Sequence, residues 1–457
     1  RRPEIGTWDG SAARGLVIAT DPSLGGWQAS ALRIAGGLAR FAGSDRCGTM
    51  WAVYRACEEL LGVDPLWFWT DHPPERRESL TLHDLPVEAP AVRHRGWFLN
   101  DEDLLSEWLP GGGTRELDYP FYRQVVAPQA LDLVLEAAVR LRLDLVIPAS
   151  FVDLANPAEA ALVEAAVARG LFVTQHHIEP MGVSHFTLER WARARGQEVP
   201  SYVADPGTVR ACWRAYAGRW ARFGDQVVWT IGLRGRGDRA VWLIDPRVDA
   251  TPAGRGRLIS DAMADQAAIV REVAGAGAET ITVLWAEMAG LNAGGHLAIP
   301  DGTVRVLCDH GPTQVWCRDF AAMPRQAPTG VYYHAAFWGD GPHLVQGVRP
   351  ARIAAMLGDA LARGDTALGL LNIANLRETS LAARQCAALW WDGRVEDEPA
   401  VLSAWCQAQF GDPGIAALYG ALFDAYADQA QGHHGAELER SLAITGPDPA
   451  LVAAHGA

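Results

Sequence analysis

The sequence predicts an α/β protein organised around a (β/α)8 TIM-type barrel, with a small α/β domain before it and a helical region after it. Three observations carry this expectation. Eight short apolar runs alternate with amphipathic stretches between about residues 91 and 378, the pattern of parallel strands joined by crossover helices. Nearly every run stops at ionisable residues, as barrel strands do at their carboxyl ends. The rival doubly wound sheet needs a glycine-rich first turn of the dinucleotide-binding type, and none is present. At 457 residues the chain suits a barrel plus one or two smaller units.

Residues 1–90 form the expected N-terminal α/β domain. Leu16–Ala19 and Leu38–Ala42 have strand character, and Thr49 is placed to cap a helix carrying Trp51, Val53, Tyr54, Cys57, Leu60 and Leu61 up to Gly62. Pro73–Pro90, rich in proline and charge, has the composition of a linker. The barrel, 91–380, has candidate strands Val92–Leu99, Leu143–Ile147, Leu171–Thr174, Val227–Leu233, Thr280–Trp285, Val304–Cys308, Gly330–Phe337 and Ala367–Ile373. Between them lie amphipathic helices such as Ala130–Arg142, Ala158–Arg169, Pro206–Phe223, Ile259–Ala274 and Pro350–Arg363. The remainder, 381–457, is helical: Trp390 and Trp391, Val401–Gln409, Gly414–Ala430 and Glu437–Leu442, an expected cap over barrel surface.

Composition removes several function classes. A net charge of −14 argues against nucleic acid and against anionic membrane as partners, since both need a basic face. No apolar run is long enough to span a bilayer, and the first residues carry no signal-peptide core. The seven cysteines are scattered and never spaced as C-x-x-C, which fits reduced thiols in a cytoplasmic protein. All 40 basic residues are arginine, a bias expected of a GC-rich genome. Schiff-base chemistry on lysine, pyridoxal phosphate and a Walker-type phosphate loop are therefore excluded.

The polar strand ends form a candidate ring of site residues. In strand order they are Asn100, Asp101, Glu102 and Asp103; Asp144; His176, His177 and Glu179; Arg234, Arg236 and Asp238; Glu287; Asp309 and His310; His334; and Asn372 with Asn375. His176 and His177 are neighbours leaving a strand, so alternation should point them apart and prevent them from sharing a metal ion. No metal and no other cofactor is expected, and Ser150 and Ser184 lack the nucleophile-elbow context. Paired carboxylates without metal, thiol or serine point to glycosidic bond cleavage, one donating a proton and the other activating water. Glu287 is the candidate acid, because burial beside Trp285 would favour a protonated carboxyl. Asp309, Asp101 and Glu102 compete as base, and an inverting pair would stand roughly 6.5–9.5 Å apart. Arg234 or Arg236, set among glycines, suits a substrate carboxylate, with pairing to Asp238 the alternative for the arginine. Eighteen tryptophans also fit stacking on sugar faces.

At these residues the sequence resembles glycoside hydrolase family 115, the xylan α-glucuronidases. The pieces are GSDRCGTMWAVYRACEELLGVDPLWFWTD (43–71), RGWFLNDED (95–103), LRLDLVIPA (141–149), TQHHIEPM (174–181), TIGLRGRGD (230–238), Trp285-Ala286-Glu287 and GVYYHAAFWG (330–339). The resemblance implies an N-terminal α/β domain, a barrel, a helical domain, no cofactor, dimerisation in many members, and inversion at α-linked glucuronic or 4-O-methylglucuronic acid. It implies the acid at Glu287, with Asp309, Asn100–Asp103 and Arg234–Asp238 at matching positions. The chain departs from the family pattern at Ala286, where the family carries lysine, and at His310 and Gly311, where it carries aspartate and asparagine. Ile178 stretches the His-His-Glu-Pro-Met run, and the family's C-terminal β-rich domains are not expected here. An α-glycosidase for a different sugar and a barrel that only binds glycans therefore stay open as alternatives.

Overall fold

The computed structural model describes residues 14–100, 104–117, 119, 122–325, 327–336 and 348–426. The first sheet contains β1 (Gly15–Thr20), β2 (Ser30–Ala35), β3 (Leu38–Gly43) and β4 (Leu85–Glu88), in the order β1-β3-β2-β4. β1 runs parallel to β3, and β2 runs antiparallel to both β3 and β4. β4 lies inside the stretch read as a linker, and β2 was not anticipated. Leu32, Ala39, Phe41 and Leu85 pack on Ala52 and Ala56 of the helix Arg46–Glu59 and on Leu60, which follows it. Asp45 caps that helix, its carboxylate accepting from Gly48 N at 2.8 Å. Thr49, the expected cap, lies within the first turn and donates its hydroxyl back to Asp45 O.

The second sheet is the barrel. Its strands are β5 (His94–Leu99), β6 (Leu145–Ile147), β7 (Phe172–Val173), β8 (Trp229–Thr230), β9 (Thr280–Leu284), β10 (Val304–His310), β12 (Thr329–His334) and β13 (Leu368–Ile373). A short β11 (Val315–Trp316) folds back antiparallel on β10 and takes no part in the ring. All eight anticipated strands are present, and they pair in parallel as β7-β6-β5-β13-β12-β10-β9-β8. A parallel bridge between Val173 and Val227 joins the two ends of this order and closes the ring. Side chains reinforce the seam: Thr174 and Thr230 hydroxyls lie 3.0 Å apart, and Thr230 N donates to Gln175 Oε1.

Inside the ring, Phe98, Leu145, Ile147, Val228, Ile281, Val283, Val306, Cys308, Leu368 and Leu370 form a packed apolar plug. A larger apolar layer separates the strands from surrounding helices such as Pro128–Arg140, Pro157–Ala168, Pro206–Trp220, Pro252–Ala274 and Pro350–Ala362. Most strands are shorter than the apolar runs because only their central residues make ladder hydrogen bonds, whereas β10 runs two residues past its apolar stretch, to His310. After the barrel come helices Ser380–Asp392, Glu398–Phe410 and Ala416–Tyr426, clustered around Leu381, Leu402, Trp405 and Phe423. The expected helix Glu437–Leu442 lies outside the described residues. All seven cysteines are free thiols. Among the described residues no helix is long and apolar enough to cross a membrane.

Candidate active site

A narrow pocket of about 70 Å³ opens at the carboxyl ends of the barrel strands. Its wall is largely aromatic and imidazole: Phe98 stacks on His176 with centroids 4.0 Å apart, and Trp285 stands 5.0 Å from His334 and 5.9 Å from His177. Asn100, Asp238, Tyr332 and Asn372 supply the polar lining.

Two ionic assemblies flank it. In the first, Arg234, almost fully buried, donates Nη2 to Asp238 Oδ1 at 2.7 Å, and its Nη1 forms an ion pair with Glu287. The Glu287 contact lacks the alignment of a hydrogen bond, whereas the Asp238 contact has it. His177 Nε2 lies 3.2 Å from Asp238 Oδ1. Burial opposes ionisation of Asp238, but His177 and Arg234 outweigh it and hold the carboxyl well below the usual carboxylate range. Burial also lowers the His177 pKa, so the ring is neutral near pH 7 and serves as a donor. Beside Arg234, Asp238 with φ +59° and Ala286 with φ +52° are among the residues holding backbone angles rare for side-chain-bearing residues. These angles set the direction of Asp238 itself and of Glu287, at the first turn of the helix Glu287–Ala293, and both carboxylates face Arg234.

In the second assembly Asp309, fully buried at the end of β10, sits 2.6 Å from His334 Nδ1. Burial raises the Asp309 pKa against the lowering effect of His334. Asp309 has no exposed surface and reaches the pocket only through His334, so it cannot itself touch an attacking water in this geometry.

The structure revises several expectations. Asp144 is not at the site: it precedes β6 and lies at the amino-terminal end of the barrel. There it accepts from Gln28 Nε2 (2.7 Å) and Arg95 N (2.6 Å) and faces His94 Nδ1 (2.8 Å). Glu179 is buried behind His176, held to the His176 amide, and burial pushes its pKa far up, the state of a neutral structural carboxyl. His176 and His177 do not point apart. Their centroids are 4.1 Å apart, because β7 is only two residues long and the chain turns after it, ending the alternation. Arg236 reaches outward to Glu189 and lies over Phe186. His310 is exposed at the rim, its ring parallel to Trp285 at 6.4 Å. Glu287 faces Arg234, which replaces the apolar setting expected beside Trp285. Asp101 and Glu102 lie outside the described residues.

Other lining residues were not anticipated. Tyr122 donates its hydroxyl to Asn100 Oδ1 at 2.5 Å, and Tyr119 stacks on Tyr122 at 5.7 Å. Ser150 Oγ lies 3.1 Å from His176 Nδ1, and Asn372 donates to the Tyr332 hydroxyl at 2.8 Å. The dense aromatic content of the loop after the first barrel strand was the available signal for the tyrosines. Two buried polar atoms of the lining, His176 Nε2 and Asn372 Oδ1, have no partner among the described residues. Buried groups of this kind carry a desolvation cost that a ligand hydroxyl or amide would relieve. Among the described residues, no three metal-ligating side chains converge.

A family-wide sequence profile described as Glycosyl hydrolase family 115 matches residues 87–434. Among solved structures, the fold is similar to that of a family 115 4-O-methyl-α-glucuronidase with specificity for decorated arabinogalactans (22% identity, TM-score 0.74). That match covers 90% of this chain and 55% of the other. A family 89 enzyme from Clostridium perfringens, in complex with GlcNAc-α-1,4-galactose, matches at 11% identity and TM-score 0.58, over 87% of this chain and 48% of its own. A family 138 enzyme targeting pectin rhamnogalacturonan II matches at 12% identity and TM-score 0.54, over 95% and 52%. The chain thus spans about half the length of these structures. A search of curated protein sequences finds no significant match.

Proposed function

We propose that this chain, which belongs to glycosyl hydrolase family 115, is the barrel portion of a glycoside hydrolase. In this reading it removes α-linked glucuronic or 4-O-methylglucuronic acid from xylan-type oligosaccharides with inversion, by carboxylate acid/base catalysis and without a cofactor. The working division of the chain is an N-terminal α/β domain (1–90), the catalytic barrel (91–380) and a helical region (381–457).

The observation that carries the reading is the Arg234 fork, which holds Asp238 on one nitrogen and Glu287 on the other beside an aromatic pocket. A uronic acid brings its own carboxylate. Guanidinium groups bind carboxylates bidentately, and the poorly aligned Glu287 contact is the one such a group can replace. Released from Arg234 by the substrate carboxylate, Glu287 is the group placed to deliver a proton to the glycosidic oxygen. Asp238, held ionised by His177 and Arg234, takes the proton of a water attacking from the opposite face of the ring. Asp309 orients His334, which with His176, Asn100 and Asn372 addresses sugar hydroxyls.

The test is release of uronic acid from glucuronoxylan fragments, with the anomer first formed read by proton NMR. Wild type should release the inverted anomer, and Glu287→Gln should release none. Equal release by the variant would remove Glu287 from the acid role. A second reading, the same chemistry on another glycan, is favoured by the aromatic rim that His310 builds against Trp285 where the family resemblance places an aspartate. Cleavage of a different α-glycoside with none of aldouronic acids would establish it.

A further inference from the structure

A groove of about 780 Å³ lies outside the catalytic pocket, between the segments 114–116 and 153–159 and the helices His185–Arg193 and Pro206–Trp220. An aromatic layer separates the two: Phe186 from the first of those helices packs on Phe151 at 5.3 Å and on Tyr119 at 6.2 Å. The groove's buried acids are already committed. Asp153 is ion-paired with Arg190, whose Nε donates to Asp153 Oδ2 at 3.1 Å. Glu159 accepts from the Asp153 amide and from Asn156 Nδ2, each at 2.9 Å.

Three further arginines of the groove are not tied to a carboxylate. Arg193, Arg195 and Arg219 are exposed and form no ion pair among the described residues, while the wall contributes one exposed carboxylate, Glu116. Arg195 is ordered nonetheless: its guanidinium lies 4.0 Å over the Trp191 ring and Nη1 donates to Trp191 O at 3.0 Å. A chain of net charge −14 repels polyanions at long range, so holding one requires a local positive field of this kind. Exposed guanidiniums beside an aromatic ring match a sugar that carries a carboxylate.

We propose that this groove is a second glycan-binding site, taking uronate-bearing stretches of an acidic polysaccharide while the catalytic pocket works on another residue. It goes beyond the proposed hydrolysis and does not depend on it, because binding can be read without turnover. The experiment is affinity electrophoresis of the full chain in gels containing glucuronoxylan, polygalacturonate or unsubstituted xylan, with calorimetric titration of free glucuronate as a separate arm. Wild type should be retarded by both acidic polymers and not by neutral xylan, with the effect weakening as salt is raised. The triple substitution Arg193→Ser, Arg195→Ser, Arg219→Ser should weaken polymer binding about tenfold, the sum of three exposed charge contacts. It should leave the rate on short aldouronic acids unchanged.

Undiminished binding by the triple variant, or equal binding of neutral xylan, would overturn the proposal. Binding of free glucuronate as tightly as of polymer would also overturn it, by replacing a polymer site with a monosaccharide one. Arginine-dependent binding with no turnover of any aldouronate would leave the groove standing and remove the hydrolytic reading alone.

Discussion

Replacing Asp144 with asparagine separates the two ends of the barrel experimentally. The Asp144 carboxylate is fully buried and faces His94 Nδ1, Arg95 N and Gln28 Nε2, while His94 Nε2 lies 2.9 Å from Glu279 Oε2. This network ties β5, β6 and the start of β9 to the first sheet through Gln28, which also accepts from Trp51 Nε1. Burial alone would push the His94 pKa down, but the Asp144 charge and the hydrogen bonds to Asp144 and Glu279 raise it from 6.5 to about 9. A rise of that size corresponds to about 3 kcal/mol of folding stability, counted once for His94 with both carboxylates, Asp144 and Glu279. It is present in full below about pH 6.5 and lost as the pH climbs through about 9, because the folded state then gives up the proton that stabilised it. Removing one partner of a buried pair costs about 3–5 kcal/mol by general experience, which agrees. Guanidinium denaturation followed by tryptophan fluorescence should therefore show Asp144→Asn less stable by about 3 kcal/mol at pH 6. The deficit should shrink toward pH 10 and persist in part, because the buried Arg95 guanidinium that also faces Asp144 stays charged there. The rate per folded molecule should be unchanged, since Asp144 lies at the far end of the strands from the pocket. Equal stability at pH 6, or lost turnover with intact stability, would refute this placement.

Two further outcomes follow from the electrostatics of the site and its surroundings. Asp238→Asn should lower kcat by about 10²–10⁴ with little change in KM, as loss of a general base does. Because Asp238 is held well below the usual carboxylate range, base protonation should not reduce wild-type kcat/KM down to about pH 4. Full activity in the variant, or an acid limb near pH 6 that the substitution abolishes, would contradict the assignment. Asp319, buried and accepting from Asn292 Nδ2 at 2.9 Å, has its pKa pushed up to about 6 by burial. A raised carboxyl pKa costs stability once the folded state must ionise, so Asp319→Asn should stabilise the protein at pH 8 by on the order of 3 kcal/mol and at pH 3 by nothing. Denaturation midpoints at the two pH values decide it, and no gain at pH 8 would defeat the argument.

Much of the fold was legible in the chain. All eight barrel strands and the helices between them are visible because alternating apolar runs and amphipathic periods are local properties. β2 was missed because its buried and exposed residues do not alternate cleanly, running Ser30-Ala31-Leu32 inward and Arg33-Ile34-Ala35 outward. β4 was missed because prolines and charges surround it. At the site, His176, His177, Asp238, Trp285, His334, Asn100 and Asn372 were all nominated and all line the pocket. Asp144 and Glu179 were nominated beside them and do not: an acid next to a strand looks the same whichever end it occupies, which misplaced Asp144, and nothing local shows that Glu179 turns inward behind His176. The tyrosines at 119 and 122 were passed over because aromatic density marks their loop but does not tell which of its rings turn toward the pocket.

By itself the sequence determined the class of protein and the ring of polar groups at the strand ends, because strand period, helix period and residue chemistry are written in consecutive positions. Tertiary structure alone decided which of those groups meet. Arg234 finds Glu287 more than fifty residues away along the chain, Asp309 is sealed behind His334, and His94 and Asp144 pair beneath the barrel. Charge pairing and burial set which carboxyl holds a proton, and both depend on distances that only barrel closure creates.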